Sequence, residues 1–394
     1  METKISRISA TGETTSGSST RTSKSNFSLK KKTEAELISL PNDQLLSGQQ
    51  YRLGVVALVC QLILTAGVSM AGACKVLKLV DPEKEKLGEI PHATTGRMWL
   101  LRFGLHKLNR PKVKADDWVW IVDHAVQVGT EKCLLISGVR TSQLPPSGEN
   151  LKLQHLEPLA VLPVNKSNGE IVRDQLEELA RQVGSPRAIL SDEGSDLLCG
   201  INLFRASHPG CSKLSDIAHY AARLLKRRLE KDERWQSFCK RASQTKSQTT
   251  QTELAFLSPP RQRSKARFMN LHTLLSWASK GLSILDQQPV AVLEYCTLER
   301  LEEKFGWLRE FRDDLKLWME YEQLTQSAIM LVRRQGYFSG IKSLVETELT
   351  PLARSDSGKI LSDELLEFIV KQSASATVGE RLPGSSEVLE SSIG

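Results

Sequence analysis

After a polar tail, hydrophobic and polar positions follow three distinct regimes along the chain. A polar, low-complexity stretch ending in Lys30-Lys31-Lys32 comes first and is expected to be a disordered tail over residues 1–45. From Tyr51 apolar residues recur at helical spacing. YRLGVVALVCQLILTAG stops at Ala66-Gly67, and VSMAGACKVLKLV starts a second helix with Ser69 as its N-cap. Helix, short glycine-containing turn, helix is the layout of a helix-turn-helix. IPHATTGRMWLLRFGLHKL then predicts a further helix that opens near Thr94 and Thr95. These segments make up one region over residues 50–114.

The texture changes at Asp116. DDWVWIVDHAVQVG and EKCLLISGV read as two strands, LEPLAVLPV as a third, and NGEIVRDQLEELARQVG as an amphipathic helix closing at Gly184. SPRAILSD gives a short buried strand, and CSKLSDIAHYAARLLKRRL a brief strand running into a basic helix. An antiparallel meander followed by alternating helix and strand is an α/β order, placed over residues 115–220. The third regime, to about Phe368, is helical. Its one expected interruption is the polar, proline-containing loop SQTKSQTTQTELAFLSPPRQRSKAR.

Composition narrows the class. The chain has 394 residues, 40% of them hydrophobic and 25% charged, enough for two or three domains with their own cores. A net charge of +7 suits a polyanionic partner, as it suits many unrelated proteins. The charge has local structure, however. Between Pro91 and Lys114 there is no acidic residue, while Arg97, Arg102, Lys107, Arg110, Lys112 and Lys114 are basic. With Lys75 and Lys78 of the preceding helix, Arg97, Arg102, Lys107 and Arg110 are candidate contacts to DNA phosphates; a solvated basic face is the alternative. Seven singly scattered cysteines and no C-x-x-C argue against a disulfide framework or a zinc ribbon and fit reduced, buried thiols. The longest apolar stretch, Leu53 to Leu64, is too short to span a bilayer, and the first residues lack the apolar core of a signal peptide. A cytoplasmic protein with no membrane partner is expected.

Acidic residues that interrupt apolar strands are the candidates for chemistry, because an unpaired buried charge is costly. Asp123 lies inside WVWIVDHAVQV, and Asp192 follows AIL at a strand end, where open α/β sheets place their ligands. As alternatives, Asp123 could be an edge-strand residue and Asp192 a turn former in S-D-E-G. His219 reads equally as a core or capping histidine, and Trp118, Trp120, Trp307 and Trp318 read as packing residues.

DDWVWIVDHAVQVGTEKCLLISGVR, together with SDEGSDL and SDIAHYAARLLK, resembles the DDE transposases of bacterial insertion sequences. The resemblance covers roughly residues 50–394 and is most specific around Asp123. It implies an α/β fold built on an RNase H-like mixed sheet, an N-terminal helix-turn-helix DNA-binding region and an all-α insertion over residues 221–375. It also implies a first Asp on strand one and a second at the end of strand four, matching Asp123 and Asp192, and a histidine near the site in the Asp216–His219 segment. The third acid of that family sits on a helix after the insertion. LPGSSEVLESSIG resembles the start of such a helix, over residues 376–394, and points to Glu390; the rival is Glu310, with Glu303 behind it.

Such an enzyme would hold Mg²⁺ (or Mn²⁺) with Asp123, Asp192 and Glu390 and act on double-stranded DNA at terminal inverted repeats, self-associating on it. Because the sequence stops four residues after Glu390, a truncated, catalytically weak derivative that binds element ends as a repressor is the second expectation. An RNase H-like nuclease unrelated to mobile DNA is the third.

Overall fold

The computed structural model describes residues 45, 47–128, 131–164, 167–262 and 267–390, with the backbone alone at 125–128, 131–132, 267 and 390. The tail expected over 1–45 therefore lies, residue 45 apart, outside the described residues. The chain divides into two compact units, the first ending at Asn109 and the second starting at Arg110.

Among the described residues the first unit contains three helices: α1 (Leu53–Leu64), α2 (Met70–Val80) and α3 (Ala93–Asn109). The turn between α1 and α2 passes through Gly67 at φ +64°, and the Ser69 side chain accepts the Gly72 N–H at 3.1 Å, so Ser69 is the N-cap its sequence context predicts. Val55, Val59, Leu77 and Leu87 form a small core, and Tyr51 meets Trp99 edge-on at 5.1 Å. Buried Asp81 organises the loop after α2, accepting the N–H groups of Lys86 (2.9 Å) and Leu87 (2.6 Å).

The second unit is mixed α/β. Its sheet contains β1 (Trp118–Val128), β2 (Glu131–Arg140), β3 (Glu157–Val164), β4 (Ala188–Ser191) and β5 (Ser212–Ser215), in the order β3-β2-β1-β4-β5. β1, β2 and β3 pair antiparallel, while β4 lies parallel to β1 and β5 parallel to β4. This five-stranded mixed sheet is consistent with the RNase H-like expectation. Period-two alternation sorts the strand residues onto two faces. Trp118, Trp120, Val122 and Ile189 pack on one side with α4 (Gly169–Val183) and α5 (Ser195–Ser207). Val119, Ile121, Ala188, Leu190 and Leu214 pack on the other with α6 (Ile217–Leu229) and the helices beyond it.

α4 ends at Gly184, as its sequence predicts, and only a glycine fits there: φ is +94°, and a Cβ would stand 2.4 Å from the Ala115 carbonyl oxygen. α5 was not expected. Its sequence, SDLLCGINLFRAS, buries Leu197, Gly200, Ile201 and Phe204, a helical i, i+3, i+4, i+7 stripe hidden by the glycine within it.

After α6 come α7 (Glu233–Thr249), α8 (His272–Gln287), α9 (Val290–Leu293), α10 (Leu298–Phe305), α11 (Arg312–Gln335), α12 (Lys342–Leu349) and α13 (Asp356–Ser373). The first residues of the expected loop, SQTKSQT, are instead the last turns of α7. Thr245 and Thr249 are buried one turn apart, the Thr249 hydroxyl donating to the Thr245 carbonyl at 2.8 Å and Thr245 Oγ1 accepting from Trp307 Nε1 at 2.9 Å. A polar run thus buries a face by satisfying its hydroxyls locally. Trp235, Phe238, Phe311 and Trp318 cluster at the centre of this helical part, with Trp235 and Trp318 crossing edge-on at 4.9 Å. Trp118, Trp120 and Trp318 are buried, in keeping with a packing role. Of the seven cysteines, all free, Cys199 is exposed, contrary to the expectation of buried thiols. Among the described residues no helix is long and apolar enough to cross a membrane.

The chain then returns to the sheet. β7 (Arg381–Leu382) pairs antiparallel with β6 (Tyr337–Phe338), and the short helix α14 (Glu387–Glu390) follows. Between them Gly384 passes so close to α11 that a Cβ would lie 2.3 Å from Val332 Cγ1 and 2.7 Å from the Tyr337 ring. Its carbonyl accepts the Ile217 N–H at 3.0 Å, tying the segment to the start of α6. Gly384→Ala should therefore push the returning segment off α11, lowering stability by about 1–3 kcal/mol. Urea unfolding checks this; an unchanged midpoint would mean that the segment is not fixed by this contact.

Candidate functional site

The site follows from register. Val122 is paired with Ser191, and Ser191 with Ser215. One residue further along these three parallel strands stand Asp123, Asp192 and Asp216. The ladder continues to that point, since the Asp216 N–H donates to the Ser191 carbonyl at 3.2 Å. Neighbouring strands run about 4.8 Å apart, so three aspartates occupy one row at the C-terminal ends of adjacent strands. Alternation carries all three to the face shared by Ile121, Leu190 and Leu214.

The three carboxyls differ in what surrounds them. Asp216 is 1% exposed and fully engaged. Its Oδ1 accepts the His219 N–H at 2.8 Å, which caps α6, and its Oδ2 accepts both the Ser386 hydroxyl, at 2.8 Å, and the Ser386 N–H. Burial alone would raise its pKa, but hydrogen bonds and charge from His219 and the Ser386 amide hold it below the usual range. Asp216 is therefore a structural tie. Sequence reading placed it in the segment near the site without giving it this role; the D-x-x-H spacing at a helix start is the signal of a cap.

Asp123 is partly buried, and its pKa is raised first by desolvation and then by the negative charge of Asp192; His219, the His124 amide and the His124 ring offset this in part. Asp192 lies at the start of the turn into α5, its Oδ1 accepting the Gly194 N–H at 3.2 Å. The two aspartates singled out in the sequence thus come together on one face, beside His219. Flanking them, Glu193 forms an ion pair with Arg223 of α6. Desolvation works against the Glu193 carboxylate, but the Arg223 hydrogen bond holds its pKa below the usual range. On the opposite face His124 Nε2 meets Asp196 Oδ2 at 2.8 Å and Ser167 Oγ at 3.2 Å. Both partners share one ring nitrogen, so they brace the end of β1 against α5 and do not form a nucleophilic relay.

The two candidates for a third acid lie in different settings. Glu310 is exposed in the turn before α11, where Arg241 of α7 holds its carboxylate at 2.5 Å. Glu390 ends α14, four positions after Ser386, the residue bound to Asp216. Among the described residues no group of three or more His, Cys, Asp or Glu is arranged to hold a metal ion. Asp123 and Asp192 are a pair of hard oxygen donors whose mutual repulsion a cation would relieve, which fits one edge of a Mg²⁺ or Mn²⁺ site. Asp216 is already committed to His219 and Ser386.

Of the candidate DNA contacts, Lys75 and Lys78 are exposed on α2, Arg97 and Arg102 are exposed on α3, and Lys107 is half-buried near the end of α3. Arg110 belongs to the second unit and binds Glu157, with Nη2 at 2.6 Å from Oε2; Lys112 binds the same carboxylate.

The raised pKa of Asp123 makes a prediction about stability. Between the unfolded value of about 3.9 and the higher folded one, the native state holds more protons than the unfolded state. Stability attributable to this group is therefore present at low pH and lost as pH rises through the folded pKa. Asp123→Asn should flatten that slope and raise the melting temperature at pH 7 by about 1–2 °C, the shift produced by about 1 kcal/mol in a unit of this size. Thermal melts between pH 4 and about 8 check it; a lower melting temperature in the variant at neutral pH would overturn it.

No protein-family model matches the chain. No curated protein matches it. Among solved structures it is similar to a Drosophila P element transposase strand transfer complex, with 13% sequence identity, a TM-score of 0.34, and coverage of 90% of this chain and 85% of that chain.

Proposed function

We propose that this chain is a DNA transposase of the insertion-sequence DDE type, with an RNase H-like core, that cuts and transfers strands at the ends of a mobile element. The observation that carries the reading is the pair Asp123 and Asp192, side by side at the C-terminal ends of adjacent parallel strands and on one face, with the pKa of Asp123 raised by burial and by the charge of Asp192. Nothing in the packing of the sheet requires two like charges there, and such arrangements concentrate at functional sites.

In this reading Asp123 and Asp192 hold Mg²⁺ or Mn²⁺ together with Glu390, which follows four positions after Ser386, the residue bound to Asp216. Bound divalent ions supply Lewis acidity and a lowered pKa for the attacking water. The carboxylates fix the geometry of attack. A water oxygen adds to phosphorus, the bond to O3′ breaks, and the proton ends on the departing 3′-hydroxyl. That hydroxyl then attacks a phosphodiester of the target strand in the same way. The helices of the first unit act as a helix-turn-helix reader of terminal inverted repeats, with Lys75, Lys78, Arg97, Arg102 and Lys107 on DNA phosphates and the protein self-associating on the DNA.

The test is strand cleavage on a duplex carrying the ends of the element, with Mg²⁺ or Mn²⁺ and with chelator. Asp123→Asn, Asp192→Asn and Glu390→Gln should each lower cleavage on the order of 10³-fold, the several kcal/mol a metal site supplies, while leaving duplex binding in place. Full cleavage by Asp123→Asn or Asp192→Asn would remove the reading, and full cleavage by Glu390→Gln would remove Glu390 as the third ligand. Separately, Arg97→Ala combined with Arg102→Ala should reduce the slope of log affinity against log salt by about 1–2. An unaltered slope would make this surface a solvated face and nothing more.

A further inference from the structure

The basic helix that follows β5 begins at the aspartate row. From Ile217 to Leu229, α6 has no acidic residue, and Arg223 stands one turn beyond His219 on the same side of the helix. His219 is the residue whose charge acts on Asp123. Arg223 in turn pairs with Glu193, which directly follows Asp192. One link along α6 and a second across to the turn before α5 therefore set the guanidinium beside both members of the pair.

Three features suit this guanidinium to a ligand. Its side chain is 48% exposed, so an incoming group can reach it. Among the described residues only Nη1 is engaged, donating to Glu193 Oε2, which leaves Nε and Nη2 for a further acceptor. The side chain is also steadied: Tyr220 stacks on Phe368 at 3.7 Å, and its ring centre lies 5.5 Å from Arg223 Cζ, within cation–π range. An oxyanion with several oxygens, above all a phosphate, matches the free edge of such a fork. Exposed ion pairs contribute little to stability, so a phosphate oxygen can displace Glu193. The Glu193 carboxylate is not stranded by the exchange, because the Ser215 hydroxyl and Lys213 also stabilise it.

We infer that Arg223 is a strand-positioning residue that exchanges Glu193 for a backbone phosphate of the DNA strand being cut. The inference rests on the proposed function. The phosphate lies within a few nucleotides of the cleaved bond, and its capture by the fork holds that bond against Asp123 and Asp192. In the DNA-free chain Glu193 occupies the fork and competes with the phosphate for it.

The test uses the full chain and a fluorescein-labelled duplex carrying the element ends, with binding followed without divalent metal and cleavage with Mg²⁺. Arg223→Ala should weaken binding about 10-fold and reduce the slope of log affinity against log salt by about 1. Arg223→Lys should restore the slope but not the cleavage rate, since a point charge lacks the geometry of the fork. Glu193→Gln should act in the opposite direction, tightening binding about 2- to 5-fold, and this gain should vanish when Arg223→Ala is added. Replacing single phosphates near the cleaved bond by neutral methylphosphonates should identify one position that weakens binding by the wild type and not by Arg223→Ala. If the wild type binds and cleaves the duplex and Arg223→Ala does both equally well, the inference is overturned and the transposase reading stands. If Arg223→Ala and Glu193→Gln weaken binding together and both lower the melting temperature, the pair is a brace and the inference is overturned likewise. Methylphosphonates that affect wild type and Arg223→Ala alike at every position also overturn it. A wild type that neither binds nor cleaves the duplex overturns both readings.

Discussion

The buried carboxylate of Asp216 is the interaction on which the second unit turns. It sits at the end of the last parallel strand, caps α6 through the His219 N–H, and binds the N–H and hydroxyl of Ser386. A charge taken out of water is tolerable only when donors replace its hydration, and here three do so. The consequence spans 170 positions of sequence, from strand edge to returning segment. Beside Asp216, the hydrogen bond from the Ile217 N–H to the Gly384 carbonyl and apolar contacts also join the start of α6 to the returning segment. Tyr337 adds to the tie, its hydroxyl donating to the Ser215 carbonyl at 3.0 Å.

Asp216 and Asp123 show how one row of identical side chains acquires two characters. Both are removed from water, yet one is held below the usual carboxylate pKa by its donors, whereas the other is pushed above it by burial and a like charge. The satisfied carboxylate belongs to the architecture. The pair Asp123 and Asp192, two like charges side by side, is a local excess of negative charge, which stability alone would not select. Arg223, which flanks the pair, leaves this excess in place because it is engaged with Glu193.

Period-two alternation and strand endings were legible in the sequence. WVWIVDHAVQV and AILSD fixed Asp123 on a strand and Asp192 at a strand end, and the Gly184 stop and Ser69 cap were read from local chemistry. These are short-range properties, set by sterics and hydrogen bonds within a few residues. The misreadings have the same root. α5 carries a glycine within its apolar stripe, and the end of α7 is a run of Ser, Thr, Gln and Lys, so both lacked the composition by which local pattern announces a helix.

Only the tertiary structure decided which residues meet. That β4 lies beside β1, and not at an edge, is a matter of long-range pairing; without it the 69 positions between Asp123 and Asp192 say nothing about their distance. The same holds for Glu310, which sequence offered as a rival acid and which the fold places in an exposed ion pair with Arg241, and for Arg110, bound to Glu157. It holds most for Asp216, whose partner Ser386 no local rule could have named. A sequence encodes its turns, caps and faces in neighbouring residues. Contacts between distant segments arise only when burial of the two sheet faces brings those segments to the same strand ends, and there the chemistry of this protein is set.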